Sequence, residues 1–371
     1  MPNPNAVVSS VVRVERVERD SISIELGNER RVRLDPERPE TRGLGPILEG
    51  LSKLRKPVYL EIDPATSAIT RLLIPYVTRV ADVRPSENGL DVELDNSHAR
   101  HVVPRGALDF AELERELREA MRGERVVIVT EHDAHNIIDV RGFTPGPDGD
   151  LPPLPPFPKS QVPRWPWPIR WLIEIWRWRW WPWWWFSFRC ISPARAQQVF
   201  DAMAASTCNP LTVPSPCIPF LFPDDGCWGR AHEMCRLMIN MGVSPEKVWI
   251  ERVGPLLKAN TRNNPQCFVE WGWHVAPTIC VRRLHFWFLW SQEMVVDPAL
   301  FTTPVSKAAW KSVQNNPNAT LTDTDWAIFW LWGMGTDPAF AQTNQVLADY
   351  RLQLQLRSQL SAGPPPFANC P

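Results

Sequence analysis

The sequence predicts an α+β protein assembled from two unlike parts, and three observations carry that reading. All eight cysteines fall at or after Cys190 and all twenty tryptophans at or after Trp165, so composition changes along the chain. The first 145 residues show the period-2 alternation of half-buried strands. Beyond Cys190, a helical stripe is followed by strand-like apolar runs. At 371 residues with 44% apolar content, the chain suits two cores rather than one. The net charge of −1 supplies no global field for nucleic acid or anionic lipid.

Residues 1–145 repeat themselves with an offset of 68. Ile24-Glu25-Leu26-Gly27-Asn28 returns as Val92-Glu93-Leu94-Asp95-Asn96, and Val58-Tyr59-Leu60 returns as Val126-Val127-Ile128. Ile69 with Leu72 returns as Ile137 with Val140. One constant offset in three segments predicts an internal duplication. Each copy reads as strand, strand, strand, helix, strand, strand. Ile22, Ile24 and Leu26 share one face of a strand. In the second copy Asp109 stands at a helix N-cap position with Glu112 three residues on. Phe110, Leu113, Leu117, Ala120 and Met121 form the apolar stripe, and Gly123 ends it. His98, His101, His132 and His135 are the candidate ligands here. They read as residues of polar connections without an acidic or cysteine cluster, and His132-Asp133-Ala134-His135 reads as a solvated loop rather than a metal site. This β-rich domain is expected to bind a partner or to restrain an enzyme.

Residues 146–189 are dense in proline and then in tryptophan. Leu151-Pro152-Pro153-Leu154-Pro155-Pro156 supports neither a helix nor a sheet ladder and favours an extended spacer. Ten tryptophans lie between Trp165 and Trp185, interleaved with Arg170, Arg177 and Arg179. Indole beside arginine suits membrane interfaces, so residues 165–185 are a candidate for membrane contact. The alternative is a low-complexity linker whose rings pack on a flanking domain, which Glu174 and the prolines favour. The N-terminal segment lacks a basic stretch and an apolar core and does not read as a secretory signal. With no transmembrane run either, the expected starting location is the cytoplasm, export by another route being left open.

The chemistry is concentrated in residues 190–371. Pro223-Asp224-Asp225-Gly226-Cys227 leads into a helix whose buried stripe is Ala231, Met234, Cys235, Met238 and Met241, with Gly242 as its stop. Cys227 therefore sits at a helix N-terminus, where unpaired amides and the helix dipole favour a thiolate. A thiolate nucleophile needs a base, and the base an orienter. His274 lies in a strand predicted over Gln266–Pro277, on one face with Phe268, Glu270, Gly272 and Ala276. The run from His285 to Val296 reads as its neighbour and ends at Asp297. Cysteine on a helix start, then histidine and aspartate on successive strands, is a papain-like or transglutaminase-like arrangement.

These residues also carry a resemblance. The segments Ile218–Cys227, Arg230-Ala231-His232-Glu233-Met234, Trp273-His274-Val275-Ala276 and Val296-Asp297-Pro298-Ala299-Leu300-Phe301 together resemble bacterial protein-glutaminases over about residues 205–305. The resemblance implies hydrolysis of the side-chain amide of protein-bound glutamine to glutamate and ammonia. It assigns Cys227 as nucleophile, His274 as general base and acid, and Asp297 as orienter, with no cofactor and no metal. The partner it implies is a glutamine-containing protein substrate. A protease or transglutaminase outcome differs only in what the thioester meets, and a non-enzymatic membrane or partner adaptor is a third reading. Family members of this type are secreted as precursors, and the duplicated first domain does not look like their pro-region.

Cys235 on the helix stripe reads as core, His232 as structural, and His285 as an ordinary strand residue. Cys190, Cys208, Cys217, Cys267, Cys280 and Cys370 are either disulfide-bonded or reduced, and no Cys-x-x-Cys supports a zinc site. Trp310, Trp326, Trp330 and Trp332, then a polar helix around Gln342–Leu360, are expected to complete the catalytic domain without adding chemistry.

Overall fold

A computed structural model describes residues 3–18, 21–144, 153–156, 190–212, 216–285, 288–360 and 362–371. The tryptophan tract at 165–185, with the linker and membrane readings attached to it, lies outside the described residues. Among the described residues, no helix is long and apolar enough to cross a membrane. The described residues are mixed α and β, with three five-stranded antiparallel sheets and six α-helices.

The first sheet runs β3-β2-β1-β4-β5, from β1 (Ala6–Glu18), β2 (Ser21–Leu26), β3 (Arg31–Leu34), β4 (Pro57–Ile62) and β5 (Ile69–Leu73). Helix α1 (Leu44–Lys53) lies against β1. The second sheet has the order β10-β9-β6-β7-β8. Its strands are β6 (Tyr76–Ser86), β7 (Gly89–Leu94), β8 (His101–Pro104), β9 (Val126–Glu131) and β10 (Ile137–Gly142), covered by α2 (Phe110–Arg122). Alternation decides which faces are buried: along β2, Ile22, Ile24 and Leu26 point inward while Ser21, Ser23 and Glu25 do not. Leu113, Leu117 and Ala120 of α2 close the second core in the same way.

The third sheet, β16-β15-β14-β11-β17, forms the floor of the C-terminal part. It comprises β11 (Pro245–Glu251), β14 (Trp273–His285), β15 (Phe288–Val295), β16 (Val305–Ser306) and β17 (Thr320–Asp325). Helices α3 (Pro193–Ala205) and α4 (Cys227–Asn240) pack on β14. Ser192 caps α3, its hydroxyl accepting from the Arg195 amide at 3.2 Å, and Pro193 occupies the first turn. Short helix α5 (Lys307–Ser312) follows β16 and is capped likewise by Ser306. Two small ladders, β12 (Leu257–Asn260) with β13 (Phe268–Trp271) and β18 (Ile328–Trp330) with β19 (Gly335–Thr336), flank the sheet.

Three expectations from sequence need correction. The strand predicted over Gln266–Pro277 is two strands, β13 and β14, broken at Gly272. That residue's amide donates to the His98 carbonyl at 2.9 Å and its carbonyl accepts from the Arg252 amide at 3.0 Å, so neither group continues a ladder. Helix α4 has more than one buried stripe: every residue from Cys227 to Cys235 is buried, because the sheet covers one side and the last helix another. That last helix, α6 (Ala341–Gln359), does not serve the catalytic part alone. Val346, Tyr350 and Leu354 join the core around Cys227 and Trp228, whereas Leu352 and Leu356 join the core of the first sheet with Leu44 and Leu48. Alternating sides of one helix thus serve two cores, which is why its sequence shows no single apolar stripe.

Six of the cysteines pair as Cys190–Cys280, Cys208–Cys217 and Cys267–Cys370, leaving Cys227 and Cys235 as thiols. The first and third close separations of 90 and 103 residues, so they restrict the unfolded chain most. Replacing Cys190 and Cys280 together by alanine is expected to cost about 2–5 kcal/mol. Urea denaturation of both proteins measures this, and an unchanged midpoint would refute a stabilising role.

Candidate active site

The loop from Phe222 to Gly226 aims Cys227 and is fastened by buried polar contacts. Arg230, one turn into α4, donates to the carbonyls of Phe222 (2.9 Å) and Asp225. The Asp225 carboxylate accepts from the Gly226 amide at 2.8 Å. Gly226 itself has φ 79°, and a Cβ there would meet the Tyr350 ring at 2.3 Å, so only glycine fits. Cys227 then begins α4 with 1% of its surface exposed.

The three residues singled out from sequence come together. His274, near the start of β14, donates from Nε2 to Asp297 Oδ2 at 2.9 Å. Its Nδ1 is buried and has no hydrogen-bond partner among the described residues, and it belongs to a cluster with the Cys227 sulfur whose ligand atoms lie within 4.8 Å of one another. Burial pushes the Asp297 carboxyl up, but the hydrogen bond and charge of His274 and the bond from Trp310 outweigh it and hold it below the usual range. Cys227 departs from the expectation of a favoured thiolate. Burial pushes its thiol well up, and the nearby Arg230 charge only partly offsets that. Three rings lie beside the imidazole. Trp271 stacks on His274 at 4.4 Å between centroids, with Trp310 at 5.5 Å and His98 at 5.7 Å.

Two groups of residues were missed by sequence reasoning. Trp310, read as packing only, donates from Nε1 to Asp297 Oδ2 at 2.9 Å. The histidines of the first part, read as members of polar connections, are largely buried. His98 is 1% exposed and lies against His274 and Trp273. Its backbone amide donates to Asp225 Oδ1 at 3.0 Å, and its Nδ1 lies 3.0 Å from the Trp273 carbonyl. Arg100 extends this docking, its amide donating to the Glu270 carbonyl at 3.0 Å and its guanidinium pairing with the Glu270 carboxylate at 2.9 Å. Ala99 bridges antiparallel to Trp271.

His101 and His135 form the cluster that was expected to be absent. Both place Nδ1 2.6 Å from the Glu131 carboxylate, and His135 Nε2 lies 3.4 Å from Asp224. Glu131 directly precedes His132, so an acidic partner was visible in the sequence, but which face it occupied was not. Asp224 also receives a two-pronged bond from Arg357 of α6, at 2.6 and 3.0 Å, while Arg357 Nε binds Asp133 at 2.8 Å. A cavity of 570 Å³ opens beside this network, lined by Arg71, Tyr76, His132 and Arg357, rather than over Cys227. Of the remaining residues, His232 is buried with Nδ1 2.7 Å from Lys247 Nζ, and burial together with that cation lowers it to about 3. Cys235 is fully buried core, and burial pushes its thiol up to about 12. His285 ends β14.

Residues 196–314 match the family model described as glutaminase. The match supports a protein-glutaminase assignment and protein-glutamine deamidase activity for this segment of the chain. A solved mutant of pro-protein-glutaminase is 18% identical, with 81% of this chain and 99% of that one covered at a TM-score of 0.50, a likeness of fold. The crystal structure of pro-protein-glutaminase is 21% identical over 76% of this chain and 93% of that one, TM-score 0.49. The NMR structure of protein-glutaminase from Chryseobacterium proteolyticum is 26% identical over 42% of this chain and 84% of that one, TM-score 0.36. Among curated protein sequences none matches.

The buried network sets the response to mutation and pH. Burial pushes the Asp224 carboxyl up, but Arg357 and His135 hold it well below the usual range, while His135 and His101 bring Glu131 down to about 2. Lowered carboxyls stabilise the fold fully above their unfolded values near pH 4 and lose that contribution as pH falls through the folded ones. Stability should therefore fall between about pH 4.5 and pH 2. His135 has the opposite sign: burial lowers it, but Glu131 and Asp224 raise it well above its ordinary value. Its contribution is present below about pH 6.5 and is lost as pH rises through the raised value. Replacing Arg357 by leucine strands a buried carboxylate and is expected to cost about 3–5 kcal/mol. Urea unfolding across this pH range checks both, and a flat acid limb would exclude the network as a stabilising element.

Proposed function

We propose that the chain hydrolyses protein-bound glutamine to glutamate and ammonia through a Cys227 thioester, with His274 and Asp297 completing a papain-like triad. The observation that carries this reading is His274, fixed by Asp297 through Nε2 so that Nδ1 is the nitrogen left for the sulfur of Cys227. Nδ1 takes the thiol proton, and the thiolate attacks the side-chain amide carbon of glutamine. The Cys227 backbone amide at the start of α4 supports the oxyanion. The imidazolium returns its proton to the leaving nitrogen, ammonia departs, and a thioester remains. Water then attacks with His274 as base, releasing glutamate and regenerating the thiol.

The packing supports a division of the chain into a regulatory domain, residues 1–145, a linker at 146–189 and a catalytic domain, 190–371. The matching strand orders of the first two sheets support reading the regulatory domain as a duplicated unit. In the described arrangement it restrains the enzyme. Its segment 98–100 pairs along β13, and the His98 ring occupies space beside Cys227 that a substrate side chain would need. Departure of this segment would lift the burial that raises the thiol. The three disulfides favour work in an oxidising compartment, which suits an exported enzyme such as an effector or toxin rather than one confined to the cytoplasm.

Purified protein incubated with casein and a blocked glutamine peptide should release ammonia with the matching amide-to-acid mass change. Cys227→Ala should abolish turnover, and Asp297→Asn should lower kcat by about 10⁴-fold by losing the imidazole's orientation. Peptide-bond cleavage or amine incorporation in place of ammonia release would favour the protease or transglutaminase reading. Arg100→Glu sets like charges against Glu270 and should speed deamidation by the full chain; an unchanged rate would remove the restraint.

A further inference from the structure

His98, Cys227 and His274 are fully buried and their ligand atoms all lie within 4.8 Å of one another. Zinc is held tetrahedrally by such atoms, from four residues or from three residues and a water, with bonds of about 2.0–2.3 Å, so the edges of the site measure about 3.3–3.8 Å. Side-chain shifts of roughly an ångström would bring these three groups to that spacing. Each histidine already has its other nitrogen engaged. His274 Nε2 binds Asp297 at 2.9 Å and His98 Nδ1 lies against the Trp273 carbonyl at 3.0 Å. Ligating histidines use this arrangement: the outer bond fixes the tautomer and leaves the inner nitrogen as a lone-pair donor. The inner nitrogen of His274 is a buried polar atom with no hydrogen-bond partner among the described residues. Asp225 lies at the edge of this set, its Oδ1 3.5 Å from His98 Nε2 and accepting the His98 and Gly226 amides.

The second histidine cluster makes a useful contrast. His101 and His135 direct Nδ1 at Glu131, and His101 Nε2 is bonded to the Ser97 hydroxyl at 2.7 Å, so three of these four nitrogens have protein partners without an ion. At Cys227, by contrast, the inner nitrogen of His274 has no hydrogen-bond partner among the described residues.

We propose that the restrained form binds a thiophilic divalent cation, of the zinc type, between Cys227, His274 and His98, with a water as fourth ligand. The thiolate and two neutral imidazoles would hold the ion, the thiol proton being released to solvent. The site spans both parts of the chain, so the ion would hold the regulatory segment against the nucleophile, and metal binding would be coupled to restraint. That coupling rests on the catalytic reading of Cys227, whereas the binding itself rests on the donor set.

The test uses the full-length chain, treated with a chelator and titrated with Co²⁺ under anaerobic conditions. One equivalent should bind with a thiolate-to-cobalt charge-transfer band, and Zn²⁺ should displace it. His98→Ala should weaken binding by at least about tenfold, in line with loss of a ligand. His98→Cys should keep stoichiometric binding and strengthen the band. Circular dichroism and thermal melting establish that each variant is folded. Absence of binding, a spectrum without the thiolate band, or a band unaffected by His98→Ala or retained in Cys227→Ala would each overturn the site. Deamidation is assayed in parallel after chelation. A chain that binds cobalt at Cys227 yet never deamidates would count against the enzymatic reading and leave the metal site standing.

Discussion

The buried ion pair between Asp224 and Arg357 is the constraint on which the arrangement depends. Asp224 lies three residues before Cys227, Arg357 comes from the last helix, and Asp133 and His135 reach the same point from the first part of the chain. Buried charges are costly unless their remaining hydrogen-bonding capacity is met. Here it is met from several sides: Asn264 donates to the Asp224 carboxylate and the Trp271 indole to its carbonyl at 3.0 Å. The Arg357 guanidinium also lies over the Phe222 ring at 4.1 Å. The loop that aims Cys227 is therefore fixed by residues from distant segments, and its position depends on their assembly.

This dependence links the first part of the chain to the site. Helix α6 packs its residues into two cores, so α1 and α4 are held by one rod. The same interface carries the Arg100–Glu270 and Arg252–Glu93 pairs at its edge and His98 at its centre. Partly exposed pairs of this kind contribute modestly, whereas the buried backbone bonds at His98 and Gly272 set the register. An interface with a polar rim and a few central anchors can be opened by a partner, a protease or a change of pH more readily than a continuous apolar core.

Much of the architecture could be read from local pattern. The alternation in β2 and the stripe on α2 depend on which side chains face a core, and that is written in spacing alone. Cys227 at a helix start was legible for the same reason, since Gly226 before it and the apolar positions after it define a boundary. The break at Gly272 was not, because composition on either side continues as strand and only the bond to His98, 174 residues earlier in the chain, interrupts the ladder. His98 and His135 stand in polar sequence, and polar sequence reads as solvent-facing until another segment covers it.

The sequence by itself determined the order and type of the chemical groups, the strand character around His274, the strand that ends just before Asp297, and the helix that starts at Cys227. Tertiary structure decided the rest: that Trp310 holds Asp297, that Trp271 and His98 flank the imidazole, and that burial raises the thiol instead of leaving it ionised. The physical reason lies in range. Helix and strand propensities act over a few residues, whereas desolvation and hydrogen-bond partnership depend on whichever distant segment comes to lie alongside.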